Sequence, residues 1–255
     1  MVQLKTDTHI EAMRETGRVV ARLLTAVREK AAAGVSLREL DEVARGVLRE
    51  AGAGSPFLNY KPHFAPTPFP AVICASVNDA IVHGIPTDQR LRDGDLVSID
   101  AGATLDGWAG DSAISFTVGR ARPADTQLID TAYEALEAGI AAAVVGNRIG
   151  DIAHAIGTAC RKAGYGIPEG FGGHGVGRTM HEDPAVPNEG RPGRGMPLRH
   201  GMVLAIEPML IGSGRDAFHP DRDGWTLRTS DGSRAAHTEH TVAITDAGPR
   251  ILTAL

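Results

Sequence analysis

A chain of 255 residues, 22% charged and 42% hydrophobic, has the composition of an ordinary soluble globular protein and can bury a sizeable core, as one large domain or two small ones. Its formal net charge of −5 argues against nucleic acid as the main partner, no apolar run approaches the length of a membrane span, and the first residues lack the apolar core of a signal peptide. Two cysteines, Cys74 and Cys160, form neither a disulfide framework nor a zinc-ribbon spacing, so reduced thiols in the cytoplasm are expected.

Residues 8–33 read as an amphipathic helix, with Thr8 and Glu11 as a capping box and Ile10, Met13, Val20, Leu24 and Val27 on one face. Gly34 ends it. Ser36 and Glu39 form a second capping box, opening a helix with Leu37, Leu40, Val43, Ala44, Val47 and Leu48 inward, closed by Ala51-Gly52. A loop stiffened by four prolines follows over 60–70, then strand candidates at 71–77, 95–101 and 113–118. The pattern then returns. Residues 124–143 read as a helix, Gly146 follows, and a further helix with Ile149, Ile152, Ala155, Ile156, Ala159 and Cys160 inward closes at Ala163-Gly164. Its strand candidates are 202–206, 225–228 and 240–245, with a Pro-, Gly- and Arg-rich loop at 184–200. A shift of 112 residues superposes Gly34 on Gly146, Leu37 on Ile149, Leu40 on Ile152 and Gly52 on Gly164 without a gap. Helical periodicity alone would not also align both bounding glycines, so the chain reads as two related halves, each a helix pair followed by strands.

The stretch 97–116, VSIDAGATLDGWAGDSAISF, carries the first chemical signal. An apolar run ends on Asp100, strand formers resume just after Asp111, and the Asp106-Gly107 pair between them signals a hairpin. With the turn centred between Leu105 and Asp106, Asp100 and Asp111 stand directly opposite each other across the ladder. Like charges so placed destabilise a sheet unless one is protonated, they are exposed, or a cation sits between them. Three further groups share that setting. His174 is flanked by glycines in GFGGHGVG, Glu207 ends the apolar run MVLAIEP, and Glu239 stands just before HTVAIT, where an inward position would be apolar. Singly, each has a plainer reading: a flexible turn for the histidine, a salt bridge to an arginine for either glutamate. Together, two Asp, two Glu and one His at the edges of apolar segments are too much negative charge for one core, and two divalent cations would offset it. Such a pair generates hydroxide near neutral pH and clamps both oxygens of a tetrahedral intermediate, which is hydrolase chemistry.

The motifs HGIP around His83, SIDAG around Asp100, GDSA around Asp111, GGHGVG around His174, HEDP around His181, IEP around Glu207 and TEHT around Glu239 resemble those of type I methionine aminopeptidases, from about Lys5 to the C-terminus. The resemblance implies the α+β pita-bread fold, two pseudo-twofold-related halves around an antiparallel sheet. It also implies one catalytic domain, 1–255, with its internal repeat at about 8–120 and 124–250. The implied activity is removal of the initiator methionine from nascent proteins and peptides whose second residue is small. Two divalent ions (Co, Mn, Fe, Zn or Ni) are implied, with Asp100 chelating one, Asp111 and Glu239 bridging both, and His174 and Glu207 completing the other. A bridging hydroxide would attack the carbonyl after the first residue, and Glu207 would shuttle its proton to the leaving amine. His181 would donate a hydrogen bond to the oxyanion, and His83 would contact the peptide near the leaving amide. The methionine pocket would include Tyr60, Phe69, Cys74 and Trp225, with Met180 where relatives often carry an aromatic. The 60–70 loop departs from the family's pattern beside Tyr60 and Phe69. The implied partners are peptide N-termini, with any transient ribosome contact made by the catalytic domain itself, because neither a zinc-finger-like nor a proline-rich extension is read. A monomer without membrane or direct nucleic-acid contact is expected. His9, His63, His154, His200, His219, His237 and His240 read as structural or surface residues, His63 lying nearest the expected substrate entrance.

Three rival readings have distinct signatures. A Xaa-Pro aminopeptidase or prolidase shares the fold but usually carries an extra N-terminal domain. A non-enzymatic pita-bread binding module would lack metal ligands. A metal-free acid–base pair of Asp100 and Asp111, as in glycoside hydrolysis, would leave His174, Glu207 and Glu239 without a role.

Overall fold

The computed structural model describes residues 2–63 and 65–255, so that Phe64 of the proline-rich loop lies outside the described residues. The first half opens with α1 (Asp7–Lys30) and α2 (Leu37–Glu50), followed by β1 (Ile73–Val77), β2 (Ala80–Val82), β3 (Leu96–Leu105) and β4 (Trp108–Thr117). The second opens with α3 (Pro123–Ala142) and α4 (Ile149–Lys162), followed by β5 (Gly172–Gly175), β6 (Glu182–Pro187), β7 (Val203–Ile206), β8 (Met209–Ile211) and β9 (Phe218–Pro220). It ends with β10 (Leu227–Thr229), β11 (Ala235–His237), β12 (His240–Thr245) and β13 (Gly248–Ile251).

Helix boundaries follow local chemistry. Ser36 caps α2 by accepting the Glu39 N–H, and the Glu39 carboxylate returns to the Ser36 N–H, as the sequence predicts. The capping box of α1 lies two residues earlier than expected. Thr6, not Thr8, is extended and accepts from the His9 N–H, while the His9 ring accepts from the Thr6 N–H. Glu11 is unavailable for capping because Arg250 of β13 takes its carboxylate in a forked ion pair. The glycines that mark the repeat, Gly34, Gly52, Gly146 and Gly164, all adopt positive φ, at 91°, 64°, 96° and 83°. That is the helix-ending conformation that favours glycine, and it explains why both halves retain the residue at these points.

In the sheets, β1-β3-β4 form one antiparallel group and β13-β12-β7-β5-β6 another, with smaller sets β2-β10-β9 and β11-β8. An antiparallel bridge between Ala113 of β4 and Glu239, just before β12, joins the two larger groups and thereby the two halves. Leu24, Val27 and Leu40 pack on Val97 and Ile99 in the first half; Leu136, Ile152 and Ile156 pack on Leu204 and Ile206 in the second.

Three expectations shift. The strands at 95–101 and 113–118 are longer than read, because the small residues Gly102, Ala103, Ala109 and Gly110 continue them. The loop at 184–200 loses its first residues to β6. That strand is a sheet edge, where the missing N–H groups of Pro184 and Pro187 cost least. The strand at 225–228 starts later, at Leu227.

A fourth shift concerns the hairpin. Its turn is Asp106-Gly107, with φ of 50° and 74°, flanked by the Leu105–Trp108 pair. Two consecutive positive φ values belong to the turn that suits a twisted two-residue hairpin, and Asp-Gly meets them. The turn centre therefore lies one residue later than expected, and Asp100 faces Ala113 while Asp111 faces Gly102. The carboxylates are diagonal neighbours rather than direct opposites. Moving the centre by one residue moves the pairing by two, which leaves both on the same face of the ladder.

Helix α1 crosses behind this hairpin at close range. A Cβ on Gly110 would lie 3.5 Å from the Gly17 nitrogen, and one on Gly17 would collide with the backbone carbonyl of Leu252. Gly17→Ala should therefore destabilise the protein by about 1–3 kcal/mol, the usual cost of overpacking. Urea unfolding followed by circular dichroism checks this; an unchanged midpoint would show that α1 is free to shift.

Candidate metal centre and substrate pocket

All eleven residues singled out from the sequence border a cavity of about 290 Å³. Asp100 leaves β3 and Asp111 leaves β4 on the shared face of the hairpin. Glu207 follows β7, Glu239 precedes β12 and His174 sits in β5. The seam between the halves fixes Asp111 and Glu239 together. The Glu239 N–H donates to the Ala113 carbonyl at 2.9 Å, and the Ser112 hydroxyl donates to the Glu239 carbonyl at 2.6 Å. The Thr241 hydroxyl donates to the Asp111 carbonyl at 2.7 Å and accepts its N–H at 3.0 Å.

The electrostatics of this cluster are unfavourable without a cation. Asp111, Glu207 and Glu239 are buried, and among the described residues no Lys or Arg forms an ion pair with them or with Asp100. The salt-bridge reading of the two glutamates therefore fails here. Burial, followed by repulsion from the other carboxylates, pushes Asp100, Glu207 and Glu239 well above the ordinary carboxylate range; burial pushes Asp111 up as well. Asp100 Oδ1, Asp111 Oδ1 and Glu239 Oε1 are buried without a hydrogen-bond partner.

His174 points the same way. Its Nδ1 lies 2.9 Å from the Gly175 carbonyl, which can only accept, so the proton is on Nδ1. Burial, and secondarily His181, lowers its pKa to about 4, and the ring is neutral near pH 7. The Nε2 lone pair then faces Glu207 Oε1 at 3.5 Å and Asp111 Oδ2 at 3.7 Å. Ligand atoms of Asp111, His174 and Glu239 lie within 4.8 Å of one another. An imidazole lone pair beside carboxylates that include orphaned oxygens is the donor set that a borderline divalent cation suits, so these residues fit a metal centre.

His237 belongs to this cluster, although the sequence reading left it among the structural histidines. Its buried Nε2 lies 3.4 Å from Glu207 Oε2 and 3.8 Å from Glu239 Oε2. The missed signal is strand parity: His237 and Glu239 are two residues apart and share a face.

The other wall is apolar. Cys74 pairs with Asp100 across β1 and β3, which sets its thiol beside the carboxyl. Phe69 packs edge-on against Trp225 at 5.0 Å, and the Trp225 indole N–H donates to the Thr67 carbonyl at 3.0 Å, tying the proline-rich loop to the pocket. Backbone bonds from Phe69 to Tyr60 and from Asn59 to Phe69 close that loop, so Tyr60 and Phe69 both reach the cavity. Phe57, Phe171 and Met209 complete the wall and were not read from the sequence, because single apolar residues carry no motif. Met180 lines it as well. His83 holds a left-handed backbone at φ 59°, unusual for a non-glycine residue, and stands edge-on to Trp225 at 6.4 Å. His181 is exposed at the mouth, its ring stacked with Tyr60 at 5.4 Å and 4.2 Å from that of His174. His63 is exposed in the loop.

A pH dependence follows. Carboxyls whose folded pKa is raised bind more protons folded than unfolded, so the stability they contribute is fully present below the unfolded values and lost as pH rises through the folded ones. Metal-stripped protein should show a falling thermal midpoint from about pH 5 to about pH 8, and added divalent metal should flatten or reverse that slope. A midpoint that rises with pH in the stripped protein would contradict the burial argument.

Comparison with known proteins bears on what this centre is. Residues 11–246 match metallopeptidase family M24. The chain is 54% identical to methionine aminopeptidase 1 of Mycobacterium tuberculosis over 99% of its own length and 95% of that protein's. It superposes on the crystal structure of a methionine aminopeptidase from Thermotoga maritima with a TM-score of 0.95 and 37% identity, covering 100% of both chains. A prolidase from Pyrococcus furiosus shares the fold, at a TM-score of 0.78 and 23% identity, but the match spans only 65% of that chain. The chain therefore belongs to metallopeptidase family M24 and, within it, to the type I methionine aminopeptidases.

Proposed function

We propose that this protein removes an N-terminal methionine from peptides whose second residue is small. The observation that carries the reading is the convergence of four carboxylates, three of them buried, and one neutral imidazole, with no basic partner among the described residues, beside an apolar pocket. Its methionine aminopeptidase relatives support the same activity.

Asp100, Asp111, His174, Glu207 and Glu239 would hold two divalent ions, with Asp111 and Glu239 shared between them. When bound, such ions make a nucleophile of water near neutral pH and polarise the scissile carbonyl. The residues around them supply the rest. Glu207 takes a proton from the attacking water and delivers it to the departing amine, a role that its place on the cavity wall suits. His181, at the mouth, donates a hydrogen bond to the carbonyl oxygen as negative charge develops there. His83, a neutral imidazole whose pKa burial lowers to about 4, contacts the peptide near the leaving amide. Phe69, Cys74 and Trp225 receive the unbranched thioether with Tyr60 at the rim, and burying that side chain contributes roughly 2 kcal/mol.

We read 1–255 as one catalytic domain of two repeats, a monomer working in the cytoplasm on nascent N-termini, with any ribosome contact transient. Among the described residues no helix is long and apolar enough to cross a membrane.

Methionine release from a Met-Ala-Ser peptide should disappear on chelation and return with Mn, Co or Fe. A folded protein that binds two ions, releases no methionine and cleaves a Xaa-Pro peptide would instead be a Xaa-Pro peptidase. Asp111→Asn should abolish turnover while the fold persists, and normal activity in that variant would remove its assigned role. His181→Ala should lower turnover roughly 100-fold without changing metal content. An equal loss of both would make His181 a ligand.

A further inference from the structure

Lys5 is only 4% exposed, and its ammonium lies 2.8 Å from Oε2 of Glu182, the neighbour of His181 in the HEDP motif and a residue given no role above. A buried ion pair is weak evidence for stability, because desolvation offsets most of the attraction, but it can fix a unique arrangement. The surroundings show what is being arranged. Glu182 Oε1 accepts the Thr179 N–H at 3.2 Å, so the carboxylate spans the short turn that presents Met180 and His181. Burial opposes the charge on Glu182, yet the hydrogen bonds from Lys5 and the Thr179 N–H outweigh it and hold the carboxyl below its ordinary pKa.

Both ends of the turn are anchored. Gly177 donates to the Thr179 carbonyl at 3.1 Å and accepts the Ala109 N–H of β4 at 2.8 Å. A Cβ on Gly177 would lie 2.5 Å from Glu182 Oε2 and 2.6 Å from Lys5 Nζ, so the chain passes directly over the ion pair. On the other side the Lys5 N–H donates to the Gly201 carbonyl at 2.7 Å, immediately before the Thr6 cap of α1. The ammonium is thus held by backbone rather than by a free arm. His181, next to Glu182, has its ring between those of Tyr60 and His174. A tilt of the turn would move His181 and Met180 together.

We infer that the Lys5–Glu182 pair is a positioning device, through which the N-terminal arm sets the His181 imidazole and the Met180 wall against the substrate. This rests on the role proposed for His181. Lys5 touches neither substrate nor ligand and acts only through the turn.

The test is a cycle of Lys5→Met, His181→Ala and the double variant, with kcat, KM, metal content and the ring NMR signals of His181, the last recorded on metal-stripped protein. Lys5→Met should lower kcat at least ten-fold with metal content unchanged, and should displace the His181 ring signals. In the double variant the loss should not exceed that of His181→Ala alone, because the pair has nothing left to position. Glu182→Gln, nearly isosteric, breaks the same link and should reproduce these results, while Lys5→Arg, which keeps the charge, should recover part of kcat. Multiplicative losses in the double variant, or His181 signals that stay in place in Lys5→Met and Glu182→Gln, would overturn the inference. Full turnover by His181→Ala would count against the role proposed for His181, and the ring signals alone would then decide whether the pair positions it.

Discussion

Four carboxylates share one cavity with no ammonium or guanidinium of the described residues paired to them, and the structure around the site is arranged to hold that unfavourable charge in place. Left alone, the groups reduce their charge by keeping protons, as the upward shifts of all four show. The fixed Nδ1 proton of His174 removes the remaining local remedy, since its other nitrogen offers only a lone pair. A cation is what resolves the conflict, and the scaffold must be rigid enough to keep the carboxylates from turning away until one binds.

That rigidity comes from the seam between the halves. Asp111 and Glu239 come from different halves, yet the Ala113–Glu239 bridge and the Ser112 and Thr241 hydroxyls bind their backbones directly. Farther along the seam, the Ser115 hydroxyl donates to the His237 carbonyl and accepts its N–H, fixing a third site residue by the same chemistry. The repeat thus does more than duplicate a shape. It provides two similar strand edges whose meeting line is polar, and the site lies on that line.

Much of this was legible in the chain because it depends on local rules. The repeat could be read from glycines that must adopt positive φ, and the acidic cluster from charges that interrupt apolar strand segments. The hairpin reading put its turn one residue early yet kept Asp100 and Asp111 on one face, since faces alternate with a period of two. What escaped was set by partners distant in sequence. Arg250 diverts Glu11 from the helix cap, and β5 recruits Glu182–Pro187 into a sheet edge despite its prolines. His237 gains its place only when Glu207 arrives from another strand.

The Asp106-Gly107 hairpin carries a consequence for how such a chain can change length. Extra residues at its tip would lie beyond the Leu105–Trp108 pair and leave the ladder untouched. One extra residue in the rungs between Trp108 and Asp111 would turn the Asp111 carboxylate to the opposite side of the sheet, away from His174. The tip can therefore drift in length across generations, while the few rungs below it are held to a fixed count.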